Sequence, residues 1–196
     1  MSIKPVLFNT EMVRAILDGR KSCTRRLVKF LAKKNPLWTG YIKDGLMLYN
    51  GRNEPCIRKA PYQPGDILYV RETWSEGYED GTYIYRADDK LADLPTFKES
   101  SNLIYHPSIH MPKEAARIWL KVTNVRVERL QEMWASDVSK EGIYFTKPTT
   151  ADEMLMAFSK LWNGTIKKSD LDRYGWDANP WVWVIEFERC EKPEGV

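Results

Sequence analysis

Ile118-Trp119-Leu120-Lys121-Val122-Thr123-Asn124-Val125-Arg126-Val127 alternates apolar and polar residues twice, in two different phases. Ile118, Leu120 and Val122 belong to one phase, Val125 and Val127 to the other. Period-two alternation marks a half-buried strand, and a slip of one residue turns every later side chain to the opposite face. The slip at Thr123-Asn124 therefore predicts a bulge or a tight corner, as small barrels need when a strand turns from one side to the other.

Working outward, Trp181-Val182-Trp183-Val184-Ile185-Glu186-Phe187-Glu188 predicts a second long strand, with Trp181, Trp183, Ile185 and Phe187 on one face. Ala60-Pro61-Tyr62-Gln63-Pro64-Gly65-Asp66 is a turn signal running into the apolar run Ile67-Leu68-Tyr69-Val70, read as a buried strand. Thr82 to Arg86 is a further strand, β-branched and aromatic. Two helices follow the long strand. Leu130 to Lys140 precedes Glu141-Gly142, and Thr150-Ala151-Asp152-Glu153 is a capping box for a helix closed by Gly164. The Met154, Leu155, Phe158, Leu161 and Trp162 stripe of that helix reads as core. Asn35 to Ala60 reads as an insertion with one short hairpin bent at Gly40 and Gly45, and Asp88 to Leu103 as a polar loop. Neither repeats nor low-complexity segments occur. The expectation is one α+β domain over 1–196, a small, partly closed β-barrel with flanking helices.

Composition sets the class. Of 196 residues, 43% are hydrophobic and 29% charged, ordinary for a globular chain. No apolar run approaches the roughly 20 residues that cross a bilayer. The N-terminus lacks the apolar core of a secretory signal, so no membrane contact and a cytoplasmic location are expected. Cys23, Cys56 and Cys190 are odd in number and form no Cys-x-x-Cys, which suggests neither a disulfide framework nor a zinc knuckle. His106 and His110 lie four apart but are surrounded by prolines, with no carboxylate or cysteine to complete a metal set. No metal and no cofactor is expected. Oligomeric state is not legible.

The charge is unevenly spread. From Gly19 to Lys43 there are eight basic residues and no acidic one, so a chain of net charge +3 is −5 elsewhere. Such a patch can hold phosphates or a nucleic-acid strand, or be a solvated face. It opens with Gly19-Arg20-Lys21-Ser22-Cys23-Thr24-Arg25-Arg26, after an amphipathic segment from Thr10 to Asp18. Gly19 sits where a helix stops, because a residue without Cβ enters the left-handed region cheaply. Cations suit a helix C-terminus, so part of the cluster can be a cap. Lys21 and Thr24 nevertheless place an amine and a hydroxyl three residues apart. Cys23 could be a nucleophile beside cations, but no histidine lies nearby, and a small inward side chain is the reading preferred.

Gly19-x-Lys21-x-x-Thr24-x-Arg26 after a short helix, then Pro64-Gly65-Asp66 opening a strand, resembles the ASCH domain of the PUA-like superfamily. The long strand near Leu130, the helix before Glu141-Gly142 and the terminal strand fall in the same order. Residues 35–60 and 88–107 look like insertions, as in longer members carried by phages and prophages. The family commonly has Glu where Thr24 stands. The Thr form resembles the subgroup that removes the acyl group from N4-acetylcytidine, whose active site of Lys, Thr and Glu would map onto Lys21, Thr24 and Glu141. Glu72, at the end of the strand after Pro64-Gly65-Asp66, is the competing carboxylate.

The resemblance implies an amidohydrolase acting on an N-acylated pyrimidine nucleoside. Thr24 would attack, a neutral Lys21 would take its proton, and Glu141 would protonate the leaving nitrogen. Arg20, Arg25 and Arg26 would depress the lysine pKa and stabilise the oxyanion. Arg71, Glu72 and Trp74 join the substrate-binding set, Trp74 as a surface on which the base stacks. A non-catalytic RNA-binding module is the alternative. A ribonuclease ranks last, because no histidine pair offers acid and base.

Overall fold

The computed structural model describes residues 2–30, 41–43, 47–49, 52–77, 79, 81–89 and 104–195. Strands are β1 (Ile3–Leu7), β2 (Cys23–Leu27), β3 (Tyr41–Lys43), β4 (Met47–Tyr49), β5 (Ile67–Arg71), β6 (Trp74–Glu76), β7 (Tyr83–Tyr85), β8 (Trp119–Arg129) and β9 (Trp181–Cys190). Helices are α1 (Thr10–Leu17), α2 (Ala135–Lys140), α3 (Ala151–Thr165) and α4 (Leu171–Tyr174). Five strands form the main sheet in the order β1-β5-β8-β9-β2, with β1 parallel to β5 and all other pairs antiparallel. Two hairpins, β3-β4 and β6-β7, stand apart from it.

The bulge expected in the long strand is present. The β8–β9 register shifts between Val122 and Asn124. The inserted residue brings Leu120, Val122, Val125 and Val127 into one core instead of splitting them between two. That core also takes Trp183, Ile185 and Phe187 of β9, with Phe8, Val13 and Ile16 from the β1–α1 segment. The other face of β9, Val182 and Val184, packs with Cys23, Val138, Phe158 and Trp162. Helices thus cover both faces of β9, which explains its nearly unbroken apolar sequence.

The sheet is not closed into a barrel. It ends at β1 on one side and β2 on the other. The gap is filled by the Phe8–Ile16 segment, and a side chain rather than a backbone ladder reaches across it: Arg26 donates to the Leu7 carbonyl at 2.8 Å. Edge strand β1 contains Pro5, which has no N–H for a ladder and is tolerated best at an edge. The segment from Leu130 is not one helix. A single 3₁₀ turn covers Leu130–Glu132, Met133 and Trp134 are extended, and α2 starts at Ala135. Met133 is drawn into the second core, and Asp137 accepts from the Trp134 N–H to restart the helix.

α3 runs one residue past Gly164, and its capping box is formed by Thr150 and Glu153. Of the hairpin expected between 35 and 60, β3 and β4 are paired, while Gly40, Gly45 and residues 90–103 lie outside the described residues. Among the described residues no helix is long and apolar enough to cross a membrane.

The Pro64-Gly65-Asp66 turn joins the N-terminal strand to the sheet. Gly65 has φ +87°, a value open to glycine at little cost. Asp66 then accepts from Ser2 N–H at 3.0 Å, Ser2 Oγ at 2.7 Å, Lys4 Nζ at 2.7 Å and Gln63 N–H at 3.0 Å. Burial alone would raise its carboxyl pKa; these hydrogen bonds outweigh burial and hold it well below the usual carboxylate range. A carboxyl depressed on folding stabilises the native state above the unfolded value, about 3.9, and loses that contribution as pH falls through the folded value. Asp66→Asn is therefore expected to lower unfolding stability by about 1–3 kcal/mol at pH 7 and to flatten the loss of stability below about pH 4. Thermal unfolding of both proteins between pH 7 and 3 checks this; parallel acid limbs would refute it.

Candidate active site

α1 begins on Asn9, whose side chain accepts from the Met12 N–H, and ends at Gly19 with φ +72°. The turn that follows does not leave Lys21 in solvent. Its backbone forms an isolated bridge with Glu141, and its side chain is fully buried. Lys21 Nζ donates to the Cys23 carbonyl at 2.7 Å, the Glu141 carbonyl at 2.8 Å and Glu141 Oε2 at 2.9 Å. An ammonium has three hydrogens. Three acceptors surround Nζ, enough for all three.

Arg25 holds the other oxygen of the same carboxylate, Nη1 to Glu141 Oε1 at 3.0 Å. Its Nη2 donates to Glu128 Oε1 at 2.9 Å and Asp137 Oδ2 at 3.3 Å, so one buried guanidinium meets three carboxylates from β8, α2 and the residue after α2. Outer charges complete the network: Arg126 bonds Glu128 at 3.1 Å and Glu186 at 2.6 Å, and Lys140 bonds Asp137 at 3.0 Å. Burial would raise the Asp137 carboxyl; hydrogen bonds from Lys140 and the Trp134 N–H, with Arg25 nearby, hold it below its ordinary value.

Cys23 lies beside this network and is inert. Burial pushes its thiol up to about 12, the Glu141 charge adds to that, and Arg25 and Lys21 only partly oppose it. Alternation along β2 sends Cys23 and Arg25 to the α2 side and Thr24 and Arg26 to the other, toward their β9 partners Ile185 and Trp183. Thr24 is 2% exposed. Lys21 Nζ and the Arg26 guanidinium each lie 5.5 Å from the Phe8 ring on that side. The carbonyl that Lys21 grips belongs to the peptide bond preceding Thr24, so amine and threonine are neighbours although no Nζ hydrogen is directed to the hydroxyl.

A cleft of about 330 Å³ opens over the Glu141-Gly142 turn. Asn9, which caps α1, and Met12 and Ala15 within it form one wall, Ile143 and Tyr144 another, and Arg20 and Leu161 also face it. Arg20 donates to the Gly142 carbonyl at 2.8 Å and to Asp18 at 2.8 Å. Lys21 and Thr24 do not line this cleft. Gly142 has φ +95°, and a Cβ there would stand 2.8 Å from the Ala15 Cβ and 3.1 Å from the Lys21 Cβ.

Lys21 and Arg25 therefore each contact Glu141, with Arg20 at the rim and Thr24 and Arg26 on the adjoining side of β2. Arg71, Glu72 and Trp74 each make other contacts. Glu72 takes a forked pair from Arg117 at 2.9 and 3.1 Å, and Arg117 also bonds Asp88 and lies 3.9 Å over the Tyr85 ring. Burial raises the Glu72 carboxyl against the pull of Arg117. Arg71 donates to the Met111 carbonyl at 2.8 Å, and Trp74 is core, edge-on to Tyr83. Lys21 contacts Glu141, so the competing carboxylate Glu72 is not its partner. His106 lies tilted against Trp74 with ring centres 5.2 Å apart, and among the described residues no three His, Cys, Asp or Glu side chains group as for a metal.

Sequence reading overlooked Glu128, Asp137 and the cleft residues Tyr144 and Leu161. Leu161 falls in the apolar stripe of α3, and periodicity does not distinguish a core position from a cleft wall. Tyr144 follows the helix end with no pattern of its own, yet stands 69% exposed.

No family model and no curated protein matches the chain. Among solved structures, the ASCH domain from Lactobacillus crispatus superposes with a TM-score of 0.46 at 11% identity, over 96% of this chain and 79% of that one. A hypothetical protein superposes at 0.38 and 15% identity, over 97% and 100%. Likenesses of this depth decide nothing about the activity of this chain.

Removing one partner of a buried charge network leaves the others unpaired in low dielectric. Arg25→Ala is expected to lower the free energy of unfolding by about 3–5 kcal/mol, and Arg25→Lys to recover less than half, since an ammonium cannot fork between carboxylates. Urea denaturation measures both. A loss below about 1 kcal/mol for Arg25→Ala would mean the three carboxylates do not depend on it. Gly142→Ala is expected to cost about 1–3 kcal/mol in the same assay, through the clash and the left-handed backbone.

Proposed function

We propose that this chain is an ASCH-type, PUA-like protein, of the longer phage or prophage kind, that hydrolyses the acyl group from N4-acetylcytidine or a related N-acylated pyrimidine nucleoside. One observation carries the reading. Lys21 and Glu141, which the family resemblance names from positions 120 residues apart, meet at 2.9 Å in the interior, with Thr24 on the neighbouring peptide.

The chemistry follows from that pair. Transfer of one proton along the Nζ–Oε2 bond turns the ion pair into an amine and a carboxylic acid, the two partners amide hydrolysis requires. Thr24 Oγ attacks the acyl carbon while the amine takes its proton. The tetrahedral intermediate collapses as Glu141 protonates the exocyclic nitrogen, releasing cytidine and leaving an acyl-threonine ester. Water then attacks the ester, frees the carboxylic acid and restores Thr24. Arg25 holds the other Glu141 oxygen, so Oε2 stays aimed at Lys21 Nζ for that transfer. Because Lys21 and Thr24 are sealed, the Gly142–Tyr144 wall must yield when substrate enters, an induced fit.

A second reading, a non-catalytic RNA-binding module, is favoured by a separate observation. All three Nζ hydrogens are already engaged, and Lys21 and Thr24 are 3% and 2% exposed. In that reading the network is structural.

Incubation with N4-acetylcytidine, followed by chromatography, separates the two. The hydrolase reading expects cytidine and acetate in equal amounts, and a loss of about 100-fold or more in rate for Thr24→Val with the fold retained. Activity surviving in Lys21→Ala would remove this mechanism. No turnover, together with RNA binding that weakens linearly in log salt, would select the second reading.

A further inference from the structure

The cleft over Glu141 is one half of a longer groove. A second cleft of about 350 Å³ shares Arg20, Ile143 and Tyr144 with the first. The Tyr144 ring stands between the halves with the Arg20 guanidinium 5.9 Å from its centre.

The halves differ in chemistry. The inner one combines the apolar Met12, Ala15 and Leu161 with Asn9 and Glu141, whose oxygens already accept from Met12 N–H, Lys21 and Arg25 and keep a second lone pair each; Glu11 there is paired to Arg14 at 3.0 Å. Such a wall suits a flat heterocycle whose exocyclic amine donates. The outer half is lined by Ser139, Lys147 and Thr149 beside Phe145 and Met154, with no carboxylate among its lining residues. Thr149 already donates to the Lys147 carbonyl at 2.8 Å, so the donors it offers are the Lys147 ammonium and the Ser139 hydroxyl. Arg20 lies between the halves. Asp18 and the Gly142 carbonyl take three of its five N–H groups, which leaves two for a ligand.

We propose that the groove takes a nucleotide unit, not a free nucleoside: the base in the inner half and a phosphate in the outer half, held by Lys147, Ser139 and Arg20. This rests on the reading of the inner cleft as a base site, but not on catalysis. A phosphate fits because its oxygens accept from several donors at once and its charge answers Lys147, with Arg20, already paired to Asp18, adding its two remaining N–H groups. Two sources share that chemistry, a mononucleotide and a phosphodiester within a strand.

Calorimetric titration with cytidine, cytidine 5′- and 3′-monophosphate and a cytidine trinucleotide, none of them acylated, tests the proposal. A phosphorylated ligand is expected to bind about tenfold more tightly than cytidine, with the advantage shrinking at high salt and lost in Lys147→Ala. If only the trinucleotide gains, the phosphate is that of a strand; if a monophosphate gains equally, it is that of a free nucleotide. Equal affinity for all four, no binding of any, or an advantage that survives Lys147→Ala would overturn the proposal. A phosphate advantage without turnover of N4-acetylcytidine would leave this inference standing and the hydrolase reading fallen. Turnover without the advantage would do the reverse.

Discussion

Arg25 is a guanidinium almost closed to water, and the local structure depends on how its charge is met. Moving such an ion into a protein interior costs several kcal/mol unless carboxylates and hydrogen bonds replace the lost hydration. Glu128, Asp137 and Glu141 replace it from three places in the chain. Helix α2 has only six residues and would not hold its place through local bonding alone. Asp137 at its start and Glu141 at its end, both gripping Arg25, fix it against β2. The replacement is incomplete at one atom: Arg25 Nε is buried with no partner among the described residues.

Once α2 is fixed, the position of Glu141 follows, and with it Lys21. The carboxylate is divided, one oxygen to Arg25 and the other to Lys21. Gly142 has no Cβ because the next atoms are those of Ala15 and Lys21, so helix α1 and the α2 end approach as closely as backbone allows. The same burial that closes the network to water pushes the Cys23 thiol up and makes it a poor nucleophile.

Much of the fold was legible because it rests on short-range signals. The phase slip in β8 gave the bulge, since two faces cannot both be apolar in one register without an extra residue. The capping box gave the start of α3, and Gly19 the end of α1. Barrel closure was not legible. It depends on whether β1 and β2 meet, and the Phe8–Ile16 segment, which reads locally as an ordinary amphipathic helix, fills the gap between them. The break at Met133-Trp134 escaped for a related reason: burial of Met133 in a distant core outweighs helix propensity there. In the site, Lys21 and Glu141 came through family resemblance. Glu128 and Asp137 had no signal, because carboxylates at β8 and in a short helix look solvated until a buried arginine faces them. The contacts of Arg71, Glu72 and Trp74 had no signal either, because adjacency to a strand end does not say what the side chains meet: backbone carbonyls for Arg71, Arg117 for Glu72 and the third core cluster for Trp74.

The central claim is that a buried lysine ammonium is fixed by Glu141 and the Cys23 carbonyl at the heart of the molecule. Heteronuclear NMR of the lysine side-chain nitrogens near neutral pH tests it most directly. The account predicts an ammonium signal for Lys21 whose hydrogens exchange slowly with water and lie close to Cys23 and Glu141. A rapidly exchanging Lys21 signal, or one from an uncharged amine, would contradict it.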